Sequence, residues 1–462
     1  MTSDAIARPA PAAAAPAKTA EPRWAGPWLV AAALLPVYLV LSVGRFRRMD
    51  WASWDLGIFE QAIRAYAHLR EPVADLKGPG FNILGDHFSP VIALVAPVYR
   101  VFPGPLTLLV VQALLFALSA VPVTRAAGRL LGKARGVAVG VAYGLSWGVQ
   151  RAVEFDFHEI AFAVPLLAFA WRPSSPAAGG RHCCGGCPWS SSRRTSASPW
   201  PPWRGGRLAG PRHRPAHHLD RARPGGRGLR LRRPGVHRVH TGLRHGRLRL
   251  LAQDRRRWPV RRPRHQAHHP GLVLVPTSGL LALRSPLLLV AAPTLGWRFL
   301  SGDDHYWSTD WHYSAVLMPV VALALVDAID ALRRDRRPWL RSYALQMPAA
   351  VLAASLALAA TAMPTSRLTQ ADTYRKPERV VAVERLLARI PDGATVEADT
   401  TPLTRLTSRC RVLWIGGSKG VVPDWITIDN GNKWAGEDPT VYAPSSTPAS
   451  GTPSSARRAA SS

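Results

Sequence analysis

The sequence predicts an all-α polytopic membrane protein with a small C-terminal α/β domain, and three observations carry that prediction. Hydrophobic residues make up 47% of the 462-residue chain. They gather into runs of about 20, the length of a helix that crosses the ~30 Å hydrocarbon core. Arginine-rich connections alternate with these runs, and the last ordered stretch breaks into short apolar segments separated by turn residues.

Residues 1–23 are rich in Ala and Pro, with no apolar period, and read as a disordered cytoplasmic tail. The N-terminal membrane region, 24–171, opens with a span over Trp24–Val43, with Trp24, Trp28 and Tyr38 as interfacial anchors. Gly44-Arg45-Phe46-Arg47-Arg48 follows in place of a small-residue cleavage site, so the span is expected to be an uncleaved anchor. Further spans fall at Leu106–Val123, Val137–Gln150 and Ile160–Trp171. The loop bearing Arg125, Arg129, Lys133 and Arg135 is assigned to the cytoplasm by the positive-inside rule. That places the first loop, 45–105, and the segment Glu154–Glu159 on the extracytoplasmic side.

A C-terminal membrane region, 271–363, holds spans at Leu272–Phe299, Tyr313–Leu332 and Tyr343–Met363. Its loop with Arg333, Arg334, Arg336, Arg337 and Arg341 is the second basic connection, and it agrees with the first on orientation. The expected location is therefore the cytoplasmic membrane, multi-pass, with a cytoplasmic N-terminus. The domain at 364–443 is then extracytoplasmic, with a helix over Pro377–Arg389 and strands at Ala394–Asp399, Arg411–Ile415 and Trp425–Ile428. Residues 444–462 turn to Ser, Pro, Ala and Arg and read as a disordered tail.

Residues 172–270 do not belong to this pattern. They hold 24 Arg, no Lys and two acids, Asp220 and Asp254, so they supply +22 of the formal +30 and leave +8 for the rest. Ten of the 15 His and three of the four Cys lie there, while Phe, Tyr, Ile, Asn, Met and Glu are absent. Residues with GC-rich codons are abundant and those with AT-rich codons missing, as expected when a GC-rich gene is read out of frame. Each Arg at a bilayer centre costs about 2.5–3.5 kcal/mol on insertion scales, so the tract is expected to stay in water. It contains no nucleic-acid recognition module, and no nucleic-acid partner is expected. His182-Cys183-Cys184-Gly185-Gly186-Cys187 lacks the second ligand pair of a zinc site. Cys410 stands alone outside the tract and predicts no disulfide, and Gly416-Gly417-Ser418-Lys419-Gly420 lacks phosphate-loop spacing and reads as a turn.

The chemistry-bearing residues recur at the ends of the apolar runs. Asp86-His87 in GDHFSP, Asp156, His158 and Glu159 in EFDFHEI, His305 in DDHYW, and Asp310 with His312 in TDWHY all fall on the predicted extracytoplasmic side. Carboxylates and imidazoles near a bilayer are functional candidates by default, and the alternative is an interfacial hydrogen-bond network that ties loops together. Asp, Glu and His ligands suit a divalent metal such as Mg²⁺ or Mn²⁺, and the same residues suit acid–base work near neutral pH. Asp55 lies in WASWDLGIFEQAIRAYAHL, where Leu56, Phe59, Ile63 and Tyr66 share a helical face suited to the membrane surface. On local grounds Asp55 is either a helix-capping acid or a site residue.

WDLGIFEQ, NILGDHFSPVIALVAPVYRVFP, AYGLSWGVQRAVEFDFHEIAFAVPLLA and HYWSTDWHYSAVLMP together resemble the bacterial membrane family called domain of unknown function 2079, over residues 50–171 and 272 to about 443. The resemblance implies a C-type glycosyltransferase-like fold, whose members use polyprenyl-phosphate sugars at the outer membrane face. It implies that Asp55 is the base acting on the acceptor hydroxyl, and that Asp86 and His87 position the lipid phosphate or a metal. It also implies a Lys-Glu-Asp element in the region that 172–270 occupies, which this chain lacks. The competing readings are a transporter or flippase, a non-catalytic envelope protein, and a frameshifted product without function.

Overall fold

A computed structural model of the chain describes residues 24–50, 54–86, 88–171, 274–301 and 304–429. Both tails, the tract 172–270 with its His-Cys run, and His87 lie outside the described residues.

Four helices are long and apolar enough to cross a membrane. They are α1 (Gly26–Arg48), α4 (Pro105–Leu131), α9 (Leu317–Leu332, preceded by a 3-10 turn at His312–Ser314) and α10 (Pro338–Thr361). At 1.5 Å per residue, a helix of the length of α1 reaches roughly 35 Å. Three of them start cheaply because a proline sits in the first turn of α1, α4 and α10, where its missing N–H has no partner to lose. α4 ends at Gly132, φ 94°, where the chain reverses into α5 (Lys133–Gly144). The α4–α5 hairpin closes on small residues: a Cβ at Gly140 would lie 1.9 Å from the Thr124 hydroxyl.

Two expected spans are not single helices. The run Val137–Gln150 breaks at Leu145-Ser146, where Ser146 is extended (ψ 146°), and α6 (Trp147–Glu154) starts afresh. The expected span Leu272–Phe299 contains Leu280 at φ 68° and then Ser285-Pro286, a 3-10 stretch over Pro286–Ala291, and α8 (Ala292–Leu300). Leu280 in the left-handed region and the extended Ser285 interrupt the helix, and Pro286 and Pro293 stand in the first turns of the two pieces that follow. The same Ser-Pro-x5-Ala-Pro spacing occurs at Ser89–Pro97 and folds the same way, a 3-10 stretch at Pro90–Val95 running into α3 (Ala96–Val101). α7 (Ile160–Ala170) is the remaining apolar helix of the N-terminal half.

The two basic connections lie at one end of the bundle, since Arg333 Nη1 donates to the Leu130 carbonyl at 2.7 Å. Ser285 Oγ donates to Asp327 Oδ2 near that end (2.6 Å), while Arg298 meets Ser314 Oγ at the start of α9 (3.3 Å). The 3-10/α8 segment therefore runs alongside α9. The far end carries the first loop, the turn after α6 and the C-terminal α/β layer.

That layer is a three-stranded parallel sheet, β1 (Thr395–Ala398), β2 (Arg411–Trp414) and β3 (Trp425–Thr427), in the order β2-β1-β3, with α11 (Glu378–Leu387) before it. Parallel strands need crossovers, and the loop through Gly416, Lys419 and Gly420, all at positive φ, is the turn the sequence suggests.

The sheet does not have its own core. α2 (Trp54–Ala67) buries Leu56, Phe59, Ala62 and Ile63 in one cluster with Leu403, Leu406, Val396 and Val412. The expectation that this apolar face lies along the membrane is corrected: it is covered by protein. Gly57 allows the approach, since a Cβ there would fall 2.3 Å from the Leu403 side chain. The polar residues of α2 serve the same contact. Gln61 Nε2 donates to the Val412 carbonyl (2.8 Å), and Arg64 donates to Thr407 and Cys410 carbonyls (2.9 and 3.0 Å). Trp54 meets Trp414 edge-on at 4.4 Å between ring centres, and Arg411 grips Asp75 through two hydrogen bonds.

Glu60 sits fully buried at the centre of this junction, with hydrogen bonds from the Tyr99 hydroxyl (2.9 Å) and the Thr407 hydroxyl. Burial pushes its carboxyl up to about 7, against the two hydrogen bonds and Arg64, which act the other way. The undocked chain ionises Glu60 near pH 4.5, while the docked state holds the proton until about 7. Stability of the junction is thus fully present below the lower value and is lost as pH rises through the upper one. Glu60→Gln is expected to flatten this fall, gaining on the order of 3 kcal/mol above pH 7 and little at pH 4. Denaturant unfolding followed through the Trp54–Trp414 signal checks it; an unchanged pH profile in the variant contradicts it.

Candidate functional site

The far ends of α1, α4 and α6 and the Thr401–Arg405 turn line a small cleft. Arg45 and Phe46 line it from α1, Leu109 from α4, Glu154 from the end of α6, Asp156 from the turn after it, and Thr404 from the sheet layer. α1 remains helical through Arg48 and buries Arg45 and Arg48, so the basic residues read as a flank are built into protein. Arg48 pairs with Asp50 at 2.6 Å, and Arg405 lies over the Phe46 ring at 3.9 Å.

Asp156 is the most constrained acid here. Its carboxyl accepts the Leu56 backbone N–H, so it satisfies the N-terminus of α2, and the neighbouring Asp55 stands in the first turn of the same helix. Asp156 thus shares the start of α2 with Asp55. The other oxygen of Asp156 is buried with no hydrogen-bond partner among the described residues. Burial first, and the negative charge of Asp55 second, push Asp156 up to about 8, against the pull of Arg45. Two carboxyl groups side by side, one of which keeps its proton at neutral pH, form a pair in which one donates a hydrogen bond while the other accepts a proton.

The loop that carries Asp156 is held by Gln112, a lone amide in the apolar run of α4. Its Nε2 donates to the Ala152 and Asp156 carbonyls (3.2 and 3.3 Å), and its Oε1 accepts the His158 N–H at 3.1 Å. His158 pairs with Glu159 at 2.7 Å and stacks on His312, ring centres 4.0 Å apart. Phe59 and Phe155 close the sides of this stack. Asp310 is mostly exposed and reaches Arg151 at 3.6 Å, and His305 lies on Trp311 at 5.0 Å.

Of the residues singled out in sequence, the fold brings Asp55 to Asp156, and His158 with Glu159 to His312. Asp310 and His305 flank them. Asp86 does not line the cleft; it is exposed and pairs with Lys77 on the first loop, and His87 lies outside the described residues. Among the described residues no group of three or more His, Cys, Asp or Glu is arranged to hold a metal ion. Arg45, Glu154, Gln112 and Arg367 were not singled out, although a lone Gln in an apolar run and an acid closing a span were visible signals.

Asp156 is expected to show a protonated-carboxyl band in infrared difference spectra at pH 7, titrating near 8 and absent in Asp156→Asn. A spectrum unchanged by that substitution, recorded with Glu60→Gln in both samples, contradicts the assignment.

No curated protein and no solved structure matches the chain. A family model does match, in two blocks, residues 45–173 and 270–446, which leaves the Arg-rich tract between them unmatched. With more than half of its length covered, the chain belongs to the family described as "Predicted membrane protein (DUF2079)".

Proposed function

We propose that this protein is a glycosyltransferase that takes sugar from a polyprenyl-phosphate donor at the outer face of the cytoplasmic membrane. The observation that supports the reading is a cleft lined by Asp156 and Arg45 at the end of a membrane-length helix, with Asp55 near enough for its charge to raise the Asp156 carboxyl. Asp55, at the half-exposed N-terminus of α2, takes the proton of an acceptor hydroxyl. The acceptor oxygen then bonds to the anomeric carbon as the bond from that carbon to the phosphate oxygen breaks, and polyprenyl phosphate leaves with the electron pair. Asp156, protonated, donates a hydrogen bond to a sugar or acceptor oxygen. His158 and His312, stacked behind it, form the wall of the acceptor side.

General-base catalysis contributes about 10²–10⁴-fold. Asp55→Asn is therefore expected to lower release of polyprenyl phosphate from a radiolabelled polyprenyl-phosphate mannose or glucose by at least about 100-fold, with membrane insertion unchanged. Equal turnover by the variant, or no turnover of either donor by the unaltered site, overturns the reading.

The same proposal treats residues 172–270 as an out-of-frame replacement for central spans. It is supported by the composition of the tract and by the gap between the two family blocks. Sequencing the DNA across codons 165–280 is expected to reveal a shifted frame that restores apolar spans and a Lys-Glu-Asp element. Confirmation of the given frame, with the product accumulating in membranes, contradicts it.

A further inference from the structure

We infer that the segment Pro90–Val101, with Phe102 at its end, is an interfacial anchor that lays one face in the outer leaflet of the phospholipid bilayer. The segment is a 3-10 stretch running into α3, and it is apolar on both sides. One side is taken by protein: Ile92, Val95, Ala96 and Tyr99 are buried in the cluster that holds α2 and the sheet. Leu94, Val98, Val101 and Phe102 recur at helical spacing on the other side and stand between 45 and 70% exposed. The one charge of the segment, Arg100, turns back to protein and donates to the Ala67 carbonyl at 3.2 Å. A run that is apolar all round belongs in an apolar setting on both faces, so the open one calls for an apolar partner.

Depth identifies that partner as lipid. Residues 106–124 of α4 carry no charge, and Arg125 and Arg129 follow. At 1.5 Å per residue the uncharged run reaches roughly 28 Å, close to the ~30 Å of hydrocarbon. With Arg125 at one boundary, Leu106 stands at the other, and the exposed stripe Leu106, Val110 and Leu114 is the face that α4 turns to the bilayer. Pro90–Val101 ends just before this boundary, at the level where in-plane helices bury an apolar face among the upper acyl chains. The second copy of the Ser-Pro-x5-Ala-Pro spacing has the same character. Its 3-10 stretch and α8 run alongside the membrane-length helix α9, and Leu289, Val290, Trp297 and Leu300 are exposed there.

The anchor ties the bilayer to the junction that places α2. Tyr99, on its protein side, donates to Glu60 in the middle of α2, and Arg100 holds the Ala67 carbonyl at the end of the same helix. A leaflet that grips the outer face of α3 therefore sets the height of α2 above the membrane, and with it the height of Asp55 at its start. The inference stands apart from the transferase reading, because contact with lipid requires no turnover.

The test uses the full chain, its native cysteines replaced by serine, in phosphatidylcholine vesicles. Val98→Cys and Phe102→Cys, both at exposed positions, each carry a bimane fluorophore. Leu114→Cys on the open stripe of α4 and Glu71→Cys on the exposed surface of the first loop serve as references for lipid and water. Three quenchers are compared: phosphatidylcholine with a nitroxide high on its acyl chain, phosphatidylcholine with a nitroxide at the chain end, and iodide in the water. The labels at Val98 and Phe102 are expected to lose most of their emission to the high nitroxide and little to iodide. The Leu114 label responds most to the chain-end nitroxide, and the Glu71 label to iodide alone. Iodide quenching at Val98 and Phe102 without lipid quenching overturns the proposal, since the face is then in water. Protection from all three quenchers also overturns it, because a second copy of the chain or another part of this one then covers the face. Stronger quenching of the two labels by the chain-end nitroxide overturns the interfacial depth.

Discussion

The docking of α2 on the C-terminal sheet layer is the contact on which the candidate site depends. α2 follows the first span closely, and the sheet lies more than 300 residues further along the chain, yet the two bury one apolar cluster. Gly57 admits Leu403, Glu60 accepts from Tyr99 and Thr407, and Gln61 and Arg64 satisfy carbonyls at β2 and just before it. This junction fixes the start of α2, and the start of α2 is where Asp55 and Asp156 meet. Without the sheet, α2 would keep only its packing on the first loop, α3 and α4, and the cleft would lose its Thr401–Arg405 wall.

A second constraint comes from the membrane ends of the helices. Polar groups there sit in buried, hydrogen-bonded positions: Gln112 holds the turn after α6, and Gln150 accepts from the Thr365 backbone and hydroxyl. These amides tie the far ends of α4, α6 and α10 together, so the loops that bear Asp156, His158 and Arg367 are placed by rigid spans. A site assembled this way draws its precision from the bundle, which explains how short loops 150 or more residues apart bring His158 and His312 into ring contact.

Much of this was legible in the residues. Long apolar runs announced α1, α4 and α10, because length and hydropathy alone distinguish a membrane-length helix. The two basic loops predicted a shared end, and Arg333 on the Leu130 carbonyl puts them there. The recurring Asp and His at span ends marked the loops that meet. Other features were hidden for physical reasons. The break at Leu145-Ser146 lies inside continuous apolar sequence, where hydropathy is blind to backbone direction. An amphipathic pattern in α2 shows that a face is buried without showing what buries it. Proximity to a span end does not say which side of a loop a residue takes: Asp86 pairs with Lys77 on the surface of the first loop. Arg45 looked like a flanking charge, and only the fold reveals that Glu154 and Arg367 converge on it.

The most direct test of the account is whether the first loop and the C-terminal layer form one unit in the membrane. Trp54→Cys with Trp414→Cys, in a chain whose native cysteines are serine, places two thiols where the indole rings stand 4.4 Å apart between centres. Rapid cross-linking of the pair in native membranes, lost in a Gly57→Leu background that wedges Leu403 away, is the predicted result. Absence of the cross-link while the protein remains inserted would mean that α2 is docked elsewhere, and that Asp156 does not meet the start of α2.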